Sequence, residues 1–274
     1  MLAACEHEAP AIASNRPMTG SREAELLEAT DLLLDARRTG TTIADLPPAL
    51  QPTSMEEAFW VQSQLILSFG DVGGWKVGAP SPDATPLCAP MPAAWIAGNA
   101  SSLVVSQFRF RGLEAEVAFL LGSDLPARSE PYTEEEIADA IKSCHPAIEI
   151  LESGLTDPTS PSINRLSQIA DLQMHGGFVY GSAYADWRSI DFSKERVSLA
   201  VDSVVRVERI GSNTSGNLMR LLPWLANEAS TRTGGLRAGQ WITTGSWTGV
   251  ERGASGQVVD VTFGHLGRVS CSFT

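Results

Sequence analysis

Three glutamates lie inside segments that are otherwise apolar. The stretch 112–121 reads GLEAEVAFLL, and as a strand it places Glu114 and Glu116 on one face, about 7 Å apart along the chain. The run 146–151 reads PAIEIL and carries Glu149 in its middle. Unpaired carboxylates in an apolar setting are too costly to persist unless a cation or a proton balances them.

Neither Cys nor His stands directly beside these glutamates, so their oxygens favour a hard cation such as Mg²⁺, Mn²⁺ or Ca²⁺. The alternative is that all three acids lie on solvated strand faces, because acidic side chains are mostly exposed in proteins. The apolar residues on both faces of each run favour a buried, all-oxygen metal site.

Composition narrows the class of protein. The chain has 274 residues, 43% of them apolar, which suits one large domain or one domain with a small appendage. Its net charge of −12 argues against nucleic acid or an anionic membrane as partner, and no apolar run approaches the ~20 residues of a membrane span. The four cysteines are widely scattered without CxxC spacing, which predicts a reducing, cytoplasmic setting and no zinc site.

The pattern of periodicity and turn residues predicts the elements that must position the acids. After a loose arm at 1–20, capping residues and apolar stripes predict helices at 21–39 and 54–69. We therefore divide the chain into an N-terminal arm and helical region, 1–72, and a β-rich domain, 73–274. Two further helices are predicted at 133–143 and 217–230. Strands are predicted at 74–78, 94–97, 102–108, 113–121, 146–151, 176–184, 197–207, 240–244, 257–263 and 267–273.

Several short motifs occur along the chain in a fixed order. They are GWKVG at 74–78, EAE at 114–116, PAIEI at 146–150, IAD at 169–171, GGFVYG at 176–181, GLRAGQ at 235–240 and TGSWTG at 244–249. Together they resemble the 2-keto-4-pentenoate hydratase / 4-oxalocrotonate decarboxylase branch of the fumarylacetoacetate hydrolase superfamily, from about residue 21 to the end. Each motif alone is weak evidence, whereas the ordered set is specific.

The resemblance implies an α+β fold, with a small N-terminal helical region and a mixed β-roll catalytic domain. It also implies a divalent cation, Mg²⁺ or Mn²⁺, held by Glu114, Glu116 and Glu149, with Glu152 as a weaker candidate for the third ligand. The family assembles as homo-oligomers and its members are known to associate with a pathway enzyme, so we expect a homo-oligomer and allow for such an association.

The family's substrates are small 2-oxo acids and 2-hydroxydienoates. The resemblance assigns Lys76 to proton transfer, and a dication in a partly buried pocket is expected to lower its pKa. Gly78 of the same motif is assigned to the substrate site. The alternative for Lys76 is a surface lysine whose stem lies along Trp75.

Four further residues are candidates for substrate binding. Thr244 and Ser246 lie in a turn whose hydroxyl and N–H groups could hold a carboxylate, although an ordinary β-turn has the same composition. Asp171 and Gln173 could orient water or substrate, and a structural cap is the alternative. His145 and His175 neighbour these motifs but stay outside the proposed site, since a lone histidine is more often packed or exposed than catalytic.

The predicted function is a metal-dependent hydratase that adds water to a 2-hydroxy-2,4-dienoate to give a 4-hydroxy-2-oxo acid. Decarboxylation, tautomerisation and C–C hydrolysis remain alternatives at the same site, although no His–acid pair suited to a C–C hydrolase is evident. A non-catalytic partner subunit is a further alternative. The loop at 79–88 and the segment 152–154 depart from the family pattern, so the sequence leaves the substrate open.

Overall fold

The computed structural model describes residues 20–274, except for the side chains at 230 and 231. The loose arm predicted at 1–20 lies outside the described residues apart from Gly20, which begins the first helix. The helices are α1 Gly20–Thr39, α2 Met55–Leu67, α3 Glu134–Ala140, α4 Arg165–Ala170 and α5 Leu221–Arg232. Within residues 20–274, no helix combines the length and the apolar character needed to cross a bilayer.

Fifteen strands form three sheets among these residues. They are β1 Val72–Gly78, β2 Leu87–Pro92, β3 Ile96–Gly98, β4 Ser101–Leu103, β5 Gly112–Leu121, β6 Leu125–Pro126, β7 Ile141–Leu151, β8 His175–Tyr180, β9 Arg196–Val201, β10 Val204–Ile210, β11 Gly235–Leu236, β12 Trp241–Ser246, β13 Glu251–Arg252, β14 Val258–Phe263 and β15 Gly267–Phe273. The predicted α+β class is confirmed.

The large sheet has the order β2-β1-β12-β5-β7-β8-β3, with β13 also paired to β5. It is mixed, because β1 runs parallel to β12 and β3 parallel to β8, whereas β5 is antiparallel to both of its long neighbours. A second sheet has the order β10-β9-β14-β15-β4, and β6 pairs with β11. The strand that carries two of the glutamates therefore lies at the centre of the large sheet.

The two faces of β5 have different surroundings. Leu113, Ala115, Val117 and Phe119 are fully buried in the main core, together with residues of β9, β14 and β15. Glu114 and Glu116 alternate with them and so lie on the opposite face. The apolar face fixes the strand's register, since a one-residue slip would turn the glutamates into the core.

A separate apolar cluster forms the helical layer. It joins α1 and α2 through Leu26, Leu33 and Val61, and it includes Ile169 of α4. This layer therefore draws on residues from both sides of the predicted boundary at 72/73, which stays a prediction. Within the layer the Gln62 amide donates to the Ile169 carbonyl at 2.6 Å and so joins α2 to α4, while α2 also lies against β2 of the large sheet.

The predicted strand at 197–207 is wrong as one element, because the chain turns back inside it. Asp202 and Ser203 both have positive φ, 50° and 66°, which is the geometry of a two-residue hairpin turn between β9 and β10. The strand β2 was not predicted because Pro90 and Pro92 argue against a strand. It lies at an edge of the large sheet, where missing N–H groups are tolerated.

Two other boundaries differ from the prediction. The helix predicted at 133–143 ends at Ala140, and the chain continues directly into β7, because Ile141 pairs with Leu121 of β5. The strand predicted at 102–108 is short, since β4 ends at Leu103 and a helical turn follows. In both places long-range strand pairing decides the local conformation.

The start of α1 is held by a partly buried ion pair that should make the free energy of unfolding depend on pH. The Arg22 guanidinium donates to both carboxylate oxygens of Glu57, at 2.9 and 2.7 Å, and the Arg22 contact together with Thr53 lowers the pKa of Glu57 to about 2. Because this folded-state pKa is depressed, the stabilisation is present above the ordinary glutamate pKa and is lost as pH falls towards 2.

We expect Glu57→Gln to lower the free energy of unfolding at pH 7 by about 1–2 kcal/mol, with the difference from wild type shrinking steadily below pH 4. Urea denaturation at pH 7, 4 and 3 measures this difference. Glu56→Gln, at the exposed neighbouring position, serves as the control and should leave stability nearly unchanged. A Glu57→Gln deficit that is equal at pH 7 and pH 3 would contradict the assignment.

Candidate metal centre

The sheet brings the three glutamates together. Glu114 of β5 is paired directly with Glu149 of β7 in the antiparallel register, and Glu116 follows two residues along on the same face. One carboxylate oxygen from each residue lies within 4.8 Å of the others. Like charges directly across a strand pair repel, so this arrangement requires a compensating positive charge.

In Glu116 and in Glu149, only one of the two carboxylate oxygens has a hydrogen-bond or ion-pair partner among the described residues. One oxygen of Glu116 accepts from the Thr243 hydroxyl and from the Gly245 N–H at 3.0 Å, whereas Oε1 has no partner among the described residues. Glu149 Oε1 accepts from Lys76 Nζ at 2.7 Å, and its Oε2 is likewise without a described partner. Buried oxygens without a hydrogen-bond donor are the donor set that a divalent cation needs, so these residues fit such an ion.

The charges in the cluster set the protonation of its members. Burial, together with the negative charge of Glu149, raises the pKa of Glu114 to about 7 and raises the pKa of Glu116 well above its ordinary value. Burial alone would also raise the pKa of Glu149, but the ammonium of Lys76 and a hydrogen bond from His175 lower it to about 2. Glu149 is thus the carboxylate that stays charged.

Without an ion among the glutamates the pKa of Lys76 is raised, and the fall predicted beside a bound dication stays a prediction. Burial lowers the pKa of this lysine, but Glu149, Glu114 and Glu116 together raise it above the ordinary value. The reason is that three carboxylates face one ammonium, and their combined attraction exceeds the cost of burial. Lys76 is therefore a cation here and stands where a metal ion would compete with it for Glu149.

A cavity of about 220 Å³ opens onto the cluster. Its walls include all three glutamates and three of the other predicted site residues, Lys76, Gly78 and Gln173. The remaining lining is mainly small or apolar, with Val77, Ala79, Pro80 and Leu87. The cavity thus combines a few convergent polar groups with an apolar wall, as small-molecule sites do.

The chain is similar to proteins named as hydratases over most of its length. No family model matches the chain. Over 261 residues it is 28% identical to a 2-keto-4-pentenoate hydratase of Paraburkholderia xenovorans, covering 90% of this chain and 94% of that one. Over 270 residues it is 26% identical to the TodF product hydratase of Pseudomonas putida, covering 92% and 97%.

Among solved structures, 4-oxalocrotonate decarboxylase from Pseudomonas putida G7, in a complex with calcium and acetate, aligns with a TM-score of 0.79 at 22% identity. The alignment covers 95% of this chain and all of that one. These relatives and this solved structure place the chain in the hydratase/decarboxylase branch of the fumarylacetoacetate hydrolase superfamily. The family membership expected from the ordered motifs is confirmed.

Gln173 of this chain lies in a strained loop at the cavity wall. Leu172, Gln173 and Met174 all have positive φ, between 50° and 64°, which is unfavourable for residues other than glycine. The Gln173 carbonyl accepts from Lys76 Nζ at 3.1 Å, and its amide donates to the Cys88 carbonyl at 2.9 Å. Strain of this kind concentrates at functional sites, and here it presents a backbone carbonyl to the lysine.

The 243–246 turn supports the cluster in a different way from the prediction. The Thr244 hydroxyl donates to the Val117 carbonyl at 2.7 Å, and Thr244 is not among the residues that line the cavity. Its neighbour Thr243 makes the contact with Glu116. Ser246 donates to the Gly249 carbonyl at 3.2 Å, and the nearness of its hydroxyl to Glu114 partly offsets the rise in the pKa of that carboxyl.

Asp171 is not among the residues that line the cavity. Its fully buried carboxylate accepts from Arg37, from the Ser153 hydroxyl and from the Gly154 N–H at 2.8 Å. Arg37 also donates to the His175 carbonyl at 3.0 Å. This geometry favours the structural alternative for Asp171, which joins α1 to the segment that leads into β8.

The structure contains a His–acid pair that the sequence did not reveal. His175 Nδ1 lies 2.8 Å from Glu149 Oε1, and burial lowers the pKa of His175, so the neutral ring donates to the carboxylate. His175 is fully buried and does not line the cavity, so it orients Glu149 rather than contacting a substrate. The weaker ligand candidate, Glu152, is turned away and pairs with Arg109 at 3.4 Å.

Proposed function

We propose that this chain is a divalent-metal-dependent hydratase that adds water to a 2-hydroxy-2,4-dienoate, the enol form of a 2-oxo-4-enoate, to give a 4-hydroxy-2-oxo acid. The observation that carries the proposal is the buried trio of glutamates, with open oxygens, beside a charged lysine in one small cavity. Relatives named as hydratases, which align with more than nine-tenths of their own length, support it.

Each residue of the site has a distinct part in this reaction. Glu114, Glu116 and Glu149 would hold the cation, while Thr243 and His175 fix the orientation of two of these carboxylates. When bound, the ion would stabilise negative charge that develops on the 2-oxygen of the substrate.

Lys76 carries the proton that the reaction moves, with its ammonium aligned by the Glu149 carboxylate and the Gln173 carbonyl. Apolar side chains along the cavity limit the water that reaches the dienoate.

We further propose Mg²⁺ or Mn²⁺ as the ion. The donor set is entirely carboxylate oxygen, which suits hard cations. The structures of related proteins contain calcium or magnesium in the decarboxylase and Mn²⁺ in a fumarylpyruvate hydrolase. Three glutamates would leave coordination positions on the ion open for oxygens of the substrate.

Decarboxylation of a 2-oxo-3-enedioate is the second candidate, favoured by the alignment with 4-oxalocrotonate decarboxylase over 95% of this chain. Both reactions need the same stabilisation of charge at the 2-oxygen. They differ in whether a carboxylate leaves as CO₂ or water is added.

The test is to treat the protein with a chelator, reload it with Mg²⁺ or Mn²⁺, and add 2-hydroxypenta-2,4-dienoate. We expect loss of the dienoate absorbance only in the metal-loaded protein, with 4-hydroxy-2-oxopentanoate as product. Release of CO₂ from 2-oxo-3-hexenedioate without hydration of the dienoate would favour the decarboxylase instead. Absence of turnover with every 2-oxo acid and dienoate would contradict both enzymes and favour a non-catalytic subunit.

We also propose that the protein is a cytoplasmic homo-oligomer. Cys88, Cys144 and Cys271 are buried and unpaired with one another, as is usual in reducing compartments. The edge strand β10 exposes Val204, Val205 and Ile210, by 58 to 61%, and such an apolar edge suits a contact between copies of the chain.

A further inference from the structure

Arg165 lines the same cavity as the glutamates, and the mechanism above does not use it. It is the first residue of α4 and therefore belongs to the helical layer, whereas the glutamates and Lys76 belong to the large sheet. The cavity is thus walled by residues from two layers, with positive charge contributed by each.

The backbone that carries Arg165 is well anchored. The preceding residue, Asn164, caps α4 by accepting from the Leu166 N–H at 2.8 Å. The Asn164 N–H donates to Asp45 at 2.8 Å, and its side-chain amide donates to Gln51 at 2.8 Å. The base of the Arg165 side chain is therefore fixed to the loop between α1 and α2.

The guanidinium retains most of its hydrogen-bonding capacity. Its Nη1 donates to the Gln168 side-chain oxygen at 2.6 Å, and Gln168 is held in turn by the Pro158 carbonyl. Within residues 20–274, no carboxylate lies close enough to Arg165 to form an ion pair. A guanidinium offers five N–H donors in a planar fork, so Arg165 can still bind a carboxylate.

The charges of the site leave Arg165 without a counterpart. Three glutamates, one lysine and one dication sum to zero, so the sheet side of the cavity is balanced once the ion is bound. A substrate whose only carboxylate lies beside its 2-oxygen would place its negative charge at that end. Arg165, an exposed residue at the cavity wall on the helical side, would then have no anionic partner.

We propose that Arg165 is a specificity-determining residue that binds a second carboxylate at the far end of the substrate. The preferred substrates are then 2-hydroxydienedioates and their 2-oxo-enedioate tautomers rather than monocarboxylic dienoates. This inference rests on the proposed function, because it takes the 2-oxo acid end of the substrate to lie at the glutamates.

Two saturated 2-oxo acids of equal chain length test the inference without turnover. 2-Oxoadipate ends in a carboxylate and 2-oxohexanoate ends in a methyl group, and titration calorimetry on the Mn²⁺-loaded protein gives the Kd of each. We expect wild-type protein to bind 2-oxoadipate at least about tenfold more tightly than 2-oxohexanoate, because its second carboxylate accepts a charge-assisted hydrogen bond from Arg165. In Arg165→Gln this ratio should fall to near 1, and Arg165→Lys should restore part of it.

Arg188→Gln is the matched control, since Arg188 is an exposed arginine that pairs with Asp139 and does not line this cavity. It should keep the wild-type ratio. Equal binding of the two acids by wild-type protein, or an unchanged ratio in Arg165→Gln, would overturn the inference and leave the proposed function standing. An equal loss of affinity for both acids in Arg165→Gln would place Arg165 at their shared end and would also overturn it. If neither acid binds to the wild-type protein, the proposed function itself fails.

Discussion

Glu116→Gln is expected to abolish metal binding and to reduce metal-dependent turnover by more than about 100-fold. Mutation of a residue that only orients a metal ligand already lowers metal affinity or activity by about 10- to 100-fold, and loss of a ligand should cost more. One oxygen of Glu116 is occupied by two donors, the Thr243 hydroxyl and the Gly245 N–H, and the other is open. An amide cannot satisfy both sides. If the amide oxygen accepts from these two donors, the NH₂ group faces the cation. If the amide is reversed, its NH₂ group faces the Thr243 hydroxyl and the Gly245 N–H, so three donors face one another.

The same substitution should not destabilise the metal-free protein. Burial and Glu149 already disfavour the charged form of Glu116, which is why its pKa is raised well above the ordinary value, and glutamine removes that conflict. Thermal unfolding with and without Mn²⁺ measures both effects. At a free ion concentration of about 100 Kd, wild-type protein should gain about 2.7 kcal/mol, and Glu116→Gln should gain nothing.

Glu195→Gln provides a control for the loss of a buried carboxylate as such. Glu195 is fully buried, but it accepts from the His265 N–H at 2.8 Å, far along the chain from the metal cluster, and does not line the cavity. We expect this variant to lose stability and to keep both the Mn²⁺-induced shift and turnover. A wild-type Mn²⁺ response in Glu116→Gln would contradict the assignment of the cluster.

The sequence predicted the metal cluster because acids inside apolar strands are anomalous in any register. Strand alternation placed Glu114 and Glu116 on one face, and the flanking apolar residues placed the opposite face in the core. The pairing of Glu114 with Glu149 needed the β5–β7 register, which depends on residues 35 positions apart and was implied only by the resemblance. The local pattern thus supplied the candidate ligands, and the sheet topology brought them together.

The contacts that the sequence did not predict depend on which face of a strand a residue occupies and on packing between layers. Thr243 rather than Thr244 meets Glu116, because adjacent residues of β12 point to opposite faces and the turn composition does not say which. His175 reaches Glu149 across β7 and β8, and Arg165 reaches the cavity from the helical layer. Neither side chain is near the glutamates in sequence, so spacing carries no signal for them.

The loop at 172–174 holds residues other than glycine in a left-handed backbone conformation. Leu172, which follows the IAD motif at 169–171, has φ of 52°. Asparagine tolerates that left-handed conformation better than leucine does. Leu172 is instead fully buried in the helical layer, so packing offsets the backbone strain that keeps the Gln173 carbonyl at Lys76.

Lys76→Met is expected to separate proton transfer from metal binding. Loss of the ammonium should lower kcat by about 10²- to 10⁴-fold, the usual contribution of a positioned acid or base. It should also tighten Mn²⁺ binding, because Lys76 Nζ lies 2.7 Å from Glu149 Oε1 and competes with the ion for that carboxylate. We expect a gain of roughly tenfold in affinity, since unit charges a few ångströms apart interact by about 1–4 kcal/mol in water or near a protein surface.

Lys76→Arg is the variant that distinguishes charge from proton transfer. Arginine keeps the positive charge beside Glu149 but does not release a proton near neutral pH, so Mn²⁺ affinity should stay close to wild type while kcat stays low. Titration calorimetry with Mn²⁺ and steady-state turnover of the dienoate give the two quantities for each variant. If Lys76→Arg restores kcat, Lys76 acts through its charge alone. If Lys76→Met weakens Mn²⁺ binding, the ammonium does not compete with the ion, and the charge balance argued for this site is wrong.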